Sequence, residues 1–415
     1  MFLTIKNIGK IQNSTIEMKG ITVIAGVNNT GKSTFGKVLF CMFNAFHDTD
    51  EKVHNSRVND VRRIFRDGLP RFRHYFIDKK VADNILSKDN DLRETIVEIT
   101  KSYLSANPPD DNIIDALLEN LRQSIAVDKY EILKMIVTRY FEQEFSGKIN
   151  HLNRPNTPGD ISLEIKKKKI EVTIKSNECT FLSDDVGLFS NAIYIDTPFV
   201  MEDAINIYNN EGVSEFYNLF SMTMHRDDLL YRLTKNKSNT TILEEVIFKQ
   251  KINNLLYAIN SVVEGEFKED KKNLLFSEHG LKKPVPLLNV SAGIKMFLII
   301  KRLLELGEIK ERGVLILDEP EIHLHPDWQL RFAEILVLLQ KEFNLTILLT
   351  THSPYFLHAI ETYTYKYELK DKANYYLAES EGDTSGVQDV TQTIDTIYQQ
   401  LAKPFQKLED DYYEN

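Results

Sequence analysis

Cysteine is scarce in this sequence: 415 residues hold only Cys41 and Cys179. Two thiols cannot make a disulfide framework or a four-cysteine zinc site, and they suit a reducing compartment. Positive charge is also short, with 51 Lys and Arg against 61 Asp and Glu and a formal net charge of −10. Attraction to polyanions is therefore not a property of the whole molecule, and nucleic-acid contact would need a local basic surface. Long apolar runs are missing too. "MFLIIKRLLEL" is amphipathic and broken by charge, well short of the roughly 18 apolar residues of a membrane span. The opening "MFLTIKNIGK" alternates apolar with polar and has no signal-peptide core. These absences lead us to expect a soluble, cytoplasmic protein without a membrane partner. With 42% hydrophobic residues the chain can fill more than one core.

What is present is an alternation of strand-like and helical stretches. "FLTIKNIG" and "STIEMKGITVIAG" read as strands, the second ending in Ile21–Ala25, apolar on both faces like a buried strand. Phe35–Phe46 reads as a helix, and residues 47–158 are charged, helical and poor in strand formers. "ISLEIKKKKIEVTIKS" and "NAIYIDTPFV" restore strand character, with "KKKK" at a hairpin end, and 202–262 is helical again. "GVLILDEP" and "LTILLTTHSP" are buried strands flanking the helix "HPDWQLRFAEILVLLQKEF", and the last fifty or so residues hold one strand-like piece, "ANYYLAES", and a short acidic helix. The simplest architecture is one α/β nucleotide-binding domain interrupted by a helical insertion.

Between the second strand and the first helix lies "GVNNTGKS", Gly26–Ser33, which fits G-x-x-x-x-G-K-[ST]. Gly26 and Gly31 let the backbone curl around a phosphate, and the amides of Asn28, Asn29, Thr30 and Thr34 can point inward. The helix N-terminus adds partial positive charge. Lys32 reaches the β- and γ-phosphates and Ser33 ligates Mg²⁺. The cofactors expected are ATP and Mg²⁺.

"DEPEIHLHP", residues 318–326, sets three carboxylates beside two histidines. A transition-metal site would need His323 and His325 to converge with the acids, and nothing in a loop bracketed by Pro320 and Pro326 enforces that. His325 instead caps or orients the loop into the following helix. The nucleotide reading takes Asp318, at the end of a strand neighbouring that of the P-loop, as the Mg²⁺ carboxylate. Glu319 then orients the attacking water. "NVSAGIK" puts Ser291 and Gly293 at a helix N-terminus, an anion site with no phosphate of its own. "LLTTHSP" ends a buried strand in His352, positioned like a γ-phosphate sensor. Each is weak separately; their order with the P-loop and the "LDE" strand is specific.

In that order the motifs resemble the ABC-type ATPases of the SMC, RecF and OLD group, and most of all the stand-alone AAA-family ATPases of bacterial antiphage systems, such as the PtuA and AriA types. They lie in residues 1–40 and 285–357, under a third of the chain. The resemblance implies an ABC-type P-loop ATPase fold with an N-terminal antiparallel β portion. Its discontinuous domain would span 1–46 and 161–415, around a mostly helical insertion at 47–160. It implies a nucleotide-sandwich homodimer, or higher homo-oligomer, in which Ser291 acts in trans on ATP held by the partner's Lys32. His352 would be the switch histidine, with Glu321–His323 in the D-loop region. It also implies control of a separately encoded effector, a nuclease, in antiphage defence. The signature departs from the transporters' LSGGQ, and no glutamine lies between Gln143 and Gln250. "YIDTP", with Asp196 and Thr197, stands where a Q-loop belongs. The residues after His352 are too few for the Toprim domain of OLD enzymes, and no H-N-H or metal-binding Cys/His set appears.

Residues 55–80 interleave Arg62, Arg63, Arg66, Arg71 and Arg73 with Phe65, Phe72, Tyr75 and Phe76. This stretch reads either as an amphipathic helical hairpin with solvated arginines, which the negative overall charge favours, or as a surface for DNA or a partner protein. A RecF- or SMC-like DNA clamp acting in repair or maintenance is the alternative function.

Overall fold

In a computed structural model of the chain, the opening alternation becomes two antiparallel strands, β1 (Phe2–Ile8) and β2 (Ile11–Glu17). The structure describes residues 1–69, 77–87, 91–104, 110–183, 187–203, 223–235, 242–270 and 273–413. Leu3 and Ile5 face the core while Phe2 and Lys6 are exposed, as period two requires; Asn7, at φ 53°, breaks the alternation, and Ile8 is buried after it. The stretch read as one strand, "STIEMKGITVIAG", is broken after Glu17, and β3 (Ile21–Ala25) begins anew, buried at every position. Gly20 allows the break: a Cβ there would lie 2.9 Å from the Lys372 carbonyl.

The described residues form an eleven-stranded sheet in the order β6-β5-β4-β1-β2-β14-β13-β3-β12-β11-β7. One half is antiparallel: β4 (Gly159–Ile165), β5 (Lys168–Lys175) and β6 (Glu178–Leu182) extend β1. The other half is parallel and buried: β7 (Ala192–Ile195), β11 (Val314–Asp318), β12 (Thr346–Thr351) and β13 (Ala373–Glu381) run alongside β3. A small second sheet holds β8 (Gly265–Asp270), β9 (Asn273–Glu278) and β10 (Val285–Pro286). The lysine run sits in the β4–β5 hairpin, with Lys166 at φ 56° in its turn.

α1 (Lys32–Phe46) covers one face of the parallel half, where Gly36 lets it approach Ile316 and Tyr194. The alternate side chains, Ile195, Leu315 and Leu317, share a core with Phe297, Phe332 and Phe356. Those come from α9 (Ala292–Glu305), α10 (Pro326–Phe343) and α11 (Pro354–Lys366). Both faces are thus covered, which is why these strands read as unbroken apolar runs.

The chain divides into two compact units, Met1–His47 with Val137–Asn415, and Asp48–Ile136. The second is helical, with α2 (Thr49–Gly68), α3 (Lys79–Leu86), α4 (Leu92–Leu104) and α5 (Asp111–Ala126) around Val61, Phe65, Ile85, Ile96 and Leu121. α6 (Lys129–Glu144) follows, and later α7 (His225–Thr234) and α8 (Ile242–Asn260). Much of 202–262, read as helical, lies outside the described residues. At the C-terminus two strands stand where one was expected, β13 and β14 (Thr384–Asp389), and α12 (Asp395–Tyr413) is long rather than short. "TSGVQD" has little strand propensity of its own; hairpin pairing with β13 holds it. No described helix is long and apolar enough to cross a membrane.

Candidate functional site

Strand register brings the motifs to one edge. β12 pairs Thr350 with Ile24 and Thr351 with Ala25 of β3, while Asp318 of β11 pairs with Thr350. All three strands are parallel, so Gly26, Glu319 and His352 leave the sheet at the same level. The carboxyl edge of a parallel sheet is where ligands bind in open α/β folds. The strand carrying Asp318 is not adjacent to that of the P-loop, as the sequence reading had it; β12 lies between them. The intervening strand is what places His352 at the centre.

The loop after β3 is shaped for close approach. Gly26 has φ 154°, and a Cβ there would sit 2.5 Å from the Ala378 carbonyl; Gly31, at φ 80°, opens α1. A larger residue at Gly26 would have to displace the Ala378 backbone, and one at Gly31 would be strained in the left-handed conformation and press on the Ile11 side chain. Asn28 and Asn29 are exposed, Asn29 at φ 68° with its Oδ1 taking a hydrogen bond from Lys10 Nζ at 2.6 Å. Thr30 is buried, its hydroxyl donating to the Val27 carbonyl at 2.9 Å. Ser33 is half-buried in the first turn of α1, and the Thr34 amide donates to the Gly31 carbonyl. Lys32 is 4% exposed and donates to the carbonyls of Gly26 at 3.0 Å and Val27 at 2.9 Å.

Across the edge, Lys32 Nζ lies 3.3 Å from Glu319 Oε1, and His352 Nδ1 lies 3.4 Å from Glu319 Oε2. Glu319 holds a left-handed backbone, φ 48°, its amide donating to the Thr350 carbonyl at 3.2 Å and hydroxyl at 3.1 Å. A non-glycine residue there stores strain, and such strain concentrates at functional sites. Asp318 is fixed by two hydroxyls, Thr350 on Oδ1 and Tyr194 on Oδ2 at 3.2 Å. Burial first, then the Asp318 charge, push the Tyr194 phenol well above its usual 10, so it stays a donor. Glu321 is 2% exposed; its Oε1 accepts from the Thr351 hydroxyl and from the His352 amide at 3.1 Å. Burial raises the Glu321 pKa despite those bonds.

The residues of "SAG" sit on a different element. Ser291 is the N-cap of α9, its hydroxyl accepting from the Ile294 amide at 3.4 Å. Gly293 lies within the first turn and is packed rather than outward-facing: a Cβ would meet the His323 carbonyl at 2.9 Å and Trp328 at 3.0 Å. Ser291, Gly293, His323, His325 and Trp328 line an open cavity of about 410 Å³. His325 caps α10, its Nδ1 accepting from the Asp327 amide at 3.4 Å, and His323 packs edge-on against Phe199, centroids 5.3 Å apart. Among the described residues no cluster of three or more His, Cys, Asp or Glu converges as for a metal ion. His325 has a capping role and His323 a packing role.

The arginine stretch is engaged within its own unit. Arg62 donates to the Ile77 carbonyl at 2.9 Å, Arg63 pairs with Asp60 and Arg66 with Asp67 at 3.1 Å. Arg71 and Arg73 lie outside the described residues.

Sequence reading missed a buried network beside Asp318. Tyr194 stacks on His225, centroids 4.3 Å apart. His225 Nδ1 is 2.7 Å from Glu144 Oε1, and Nε2 is 3.0 Å from Asp196 Oδ2, in ion-pair range but poorly aligned for a hydrogen bond. Burial opposes the charge, but the two carboxylates outweigh it and lift His225 to about 9. Asp196 lies at the surface; against the partial desolvation that would raise it, His225 lowers its pKa. Asp196 is therefore committed to His225, and Thr197 accepts from the Phe199 amide at 3.3 Å. The available signal was a hydroxylated aromatic within the aliphatic strand "AIYI".

Residues 21–358 match the family model described as "AAA domain, putative AbiEii toxin, Type IV TA system". A protein of Escherichia coli, "Retron Ec83 probable ATPase", is 26% identical over 158 residues, 37% of this chain and 25% of that protein. The match thus spans a quarter of that relative's length. Among solved structures, the SMC head domain from Thermotoga maritima aligns with 94% of this chain and 98% of its own, at 13% identity and a TM-score of 0.39. The Smc head domain from Pyrococcus furiosus, bound to the C-terminal domain of ScpA, aligns with 99% and 98%, at 10% identity and a TM-score of 0.42.

Proposed function

The chain belongs to the AbiEii-type AAA-domain family, and on that premise we propose that it binds and hydrolyses ATP with Mg²⁺ as a nucleotide-sandwich dimer controlling a separate effector. The observation that carries this reading is the meeting of Lys32, Asp318, Glu319 and His352 at one sheet edge, with Ser291 on another helix. The glycine cradle and the buried Lys32 fit the phosphates of ATP. The Ser33 hydroxyl and a single oriented carboxylate, Asp318, would hold Mg²⁺, an ion that takes few protein oxygens. Bound there, the ion would neutralise charge between the β- and γ-phosphates.

The protein's own residues supply the rest. Lys32 exchanges its loop carbonyls and Glu319 for phosphate oxygens. Glu319, released from Lys32, accepts a hydrogen bond from the attacking water and polarises it. His352 then reports the γ-phosphate. Ser291 and the amides opening α9 form an anion site without a phosphate of their own. A second copy's ATP would complete it.

The match to a retron ATPase and the likeness of the motifs to antiphage ATPases support a defence role; a nuclease as the effector follows from that likeness of motifs alone. Recovery of tagged Glu319→Gln protein from its natural host with ATP and Mg²⁺ tests this. The expected result is a stoichiometric second protein that leaves when nucleotide is withdrawn. Recovery of DNA alone would overturn effector control in favour of a DNA clamp.

A further inference from the structure

Two buried polar atoms beside the proposed ATPase centre have no hydrogen-bond partner: Glu321 Oε2 and His352 Nδ1. They belong to neighbouring side chains, His352 Nδ1 lying 3.9 Å from Glu321 Oε1. Buried polar groups are nearly always paired, and a catalytic role is one of the reasons for an exception.

A carboxyl group is more than the structural duties of Glu321 require. Its Oε1 ties the turn after β11 to the end of β12 through the Thr351 hydroxyl and the His352 amide. A neutral glutamine could accept both bonds without a carboxylate in a site 2% exposed. What glutamine cannot do is offer a second anionic oxygen to an imidazole N–H. His352 stands between two carboxylates, the accessible Glu319 at 3.4 Å and the buried Glu321 at 3.9 Å. When Glu319 turns to water, the ring loses one anion and the other is roughly 1 Å beyond hydrogen-bond range.

We propose that Glu321 is the positioning residue of His352: it accepts Nδ1–H, fixing the tautomer and turning Nε2 toward the γ-phosphate held by Lys32. The nitrogen an imidazole presents is set by the hydrogen bond its other nitrogen makes. A buried carboxylate behind a histidine fixes both ring orientation and proton position. The proposal rests on the ATPase reading above and adds a residue outside the P-loop, the Asp318–Glu319 pair and the switch histidine.

The test compares wild type, Glu321→Gln, His352→Gln and the double variant for ATP turnover, ATP affinity and thermal midpoint. Glu321→Gln is expected to lose about ten- to a hundredfold in kcat. KM and affinity should stay within about threefold and the midpoint should not fall, because glutamine keeps the structural bonds. The double variant should be no slower than His352→Gln, since Glu321 acts through that ring. Wild-type kcat in Glu321→Gln, or a double variant whose loss is the product of the two single losses, would overturn the proposal while leaving Lys32-dependent hydrolysis intact. Absence of Lys32-dependent hydrolysis in the wild type would remove the underlying reading, and the proposal with it.

Discussion

Glu319→Gln should lower ATP turnover by about a thousandfold while ATP binds at least as tightly as to the wild type. The carboxylate sits 3.3 Å from Lys32 and 3.4 Å from His352, where a water aligned on a γ-phosphate would be polarised. Glutamine keeps the shape and one acceptor oxygen but loses the negative charge that polarises the water. It also removes the anion that competes with phosphate for the Lys32 ammonium, so affinity should rise rather than fall. Single-turnover hydrolysis measured beside nucleotide affinity separates the two effects. Turnover within about tenfold of wild type would mean that another group activates the water.

His225→Gln should destabilise the fold by about 2–3 kcal/mol, because it removes the nearer cation of the fully buried Glu144 carboxylate and leaves only Lys37, 3.9 Å from Oε1. The wild type should carry the same interaction as a pH dependence. His225 is lifted from 6.5 to about 9 in the folded chain by Glu144 and Asp196, against its burial. A group raised on folding contributes stability that is fully present below its unfolded pKa and lost as pH rises through the folded one. The window here runs from about pH 6.5 to about pH 9. The linkage is worth roughly 3 kcal/mol over that range. Denaturation midpoints at several pH values should fall across it in the wild type and be flat in His225→Gln. A wild-type stability independent of pH between 7 and 9 would show that His225 is neutral in the folded state. Because Tyr194 stacks on His225 and donates to Asp318, the variant should also hydrolyse ATP more slowly.

The parallel half of the sheet was legible because strands buried on both faces spell themselves as apolar runs, as in "ITVIA" and "VLILD". The P-loop was legible because the backbone at Gly26 admits no side chain and that at Gly31 disfavours one. Strand order was not, since β12 between the P-loop strand and the Asp318 strand is a property of register rather than of any local segment. β14 escaped because its pairing partner, not its composition, makes it a strand. The His225 network escaped for a related reason: Glu144, Asp196 and His225 lie far apart in the sequence, Glu144 and His225 each read alone as an ordinary surface charge, and Asp196 reads as part of a Q-loop. Glu321 was visible in "DEPEIH" as one acid among three, but only its burial against Thr351 distinguishes it.

The most direct test of the composite-site account mixes two variants, Lys32→Ala, which removes the phosphate-binding lysine, and Ser291→Arg, which blocks the signature. Each alone should be inactive in ATP hydrolysis. Mixed under conditions in which subunits demonstrably exchange, they should recover part of the wild-type rate, because a heterodimer has one site with both an intact P-loop and an intact signature. No recovery despite proven exchange would contradict the account and place hydrolysis, if any, within a single chain.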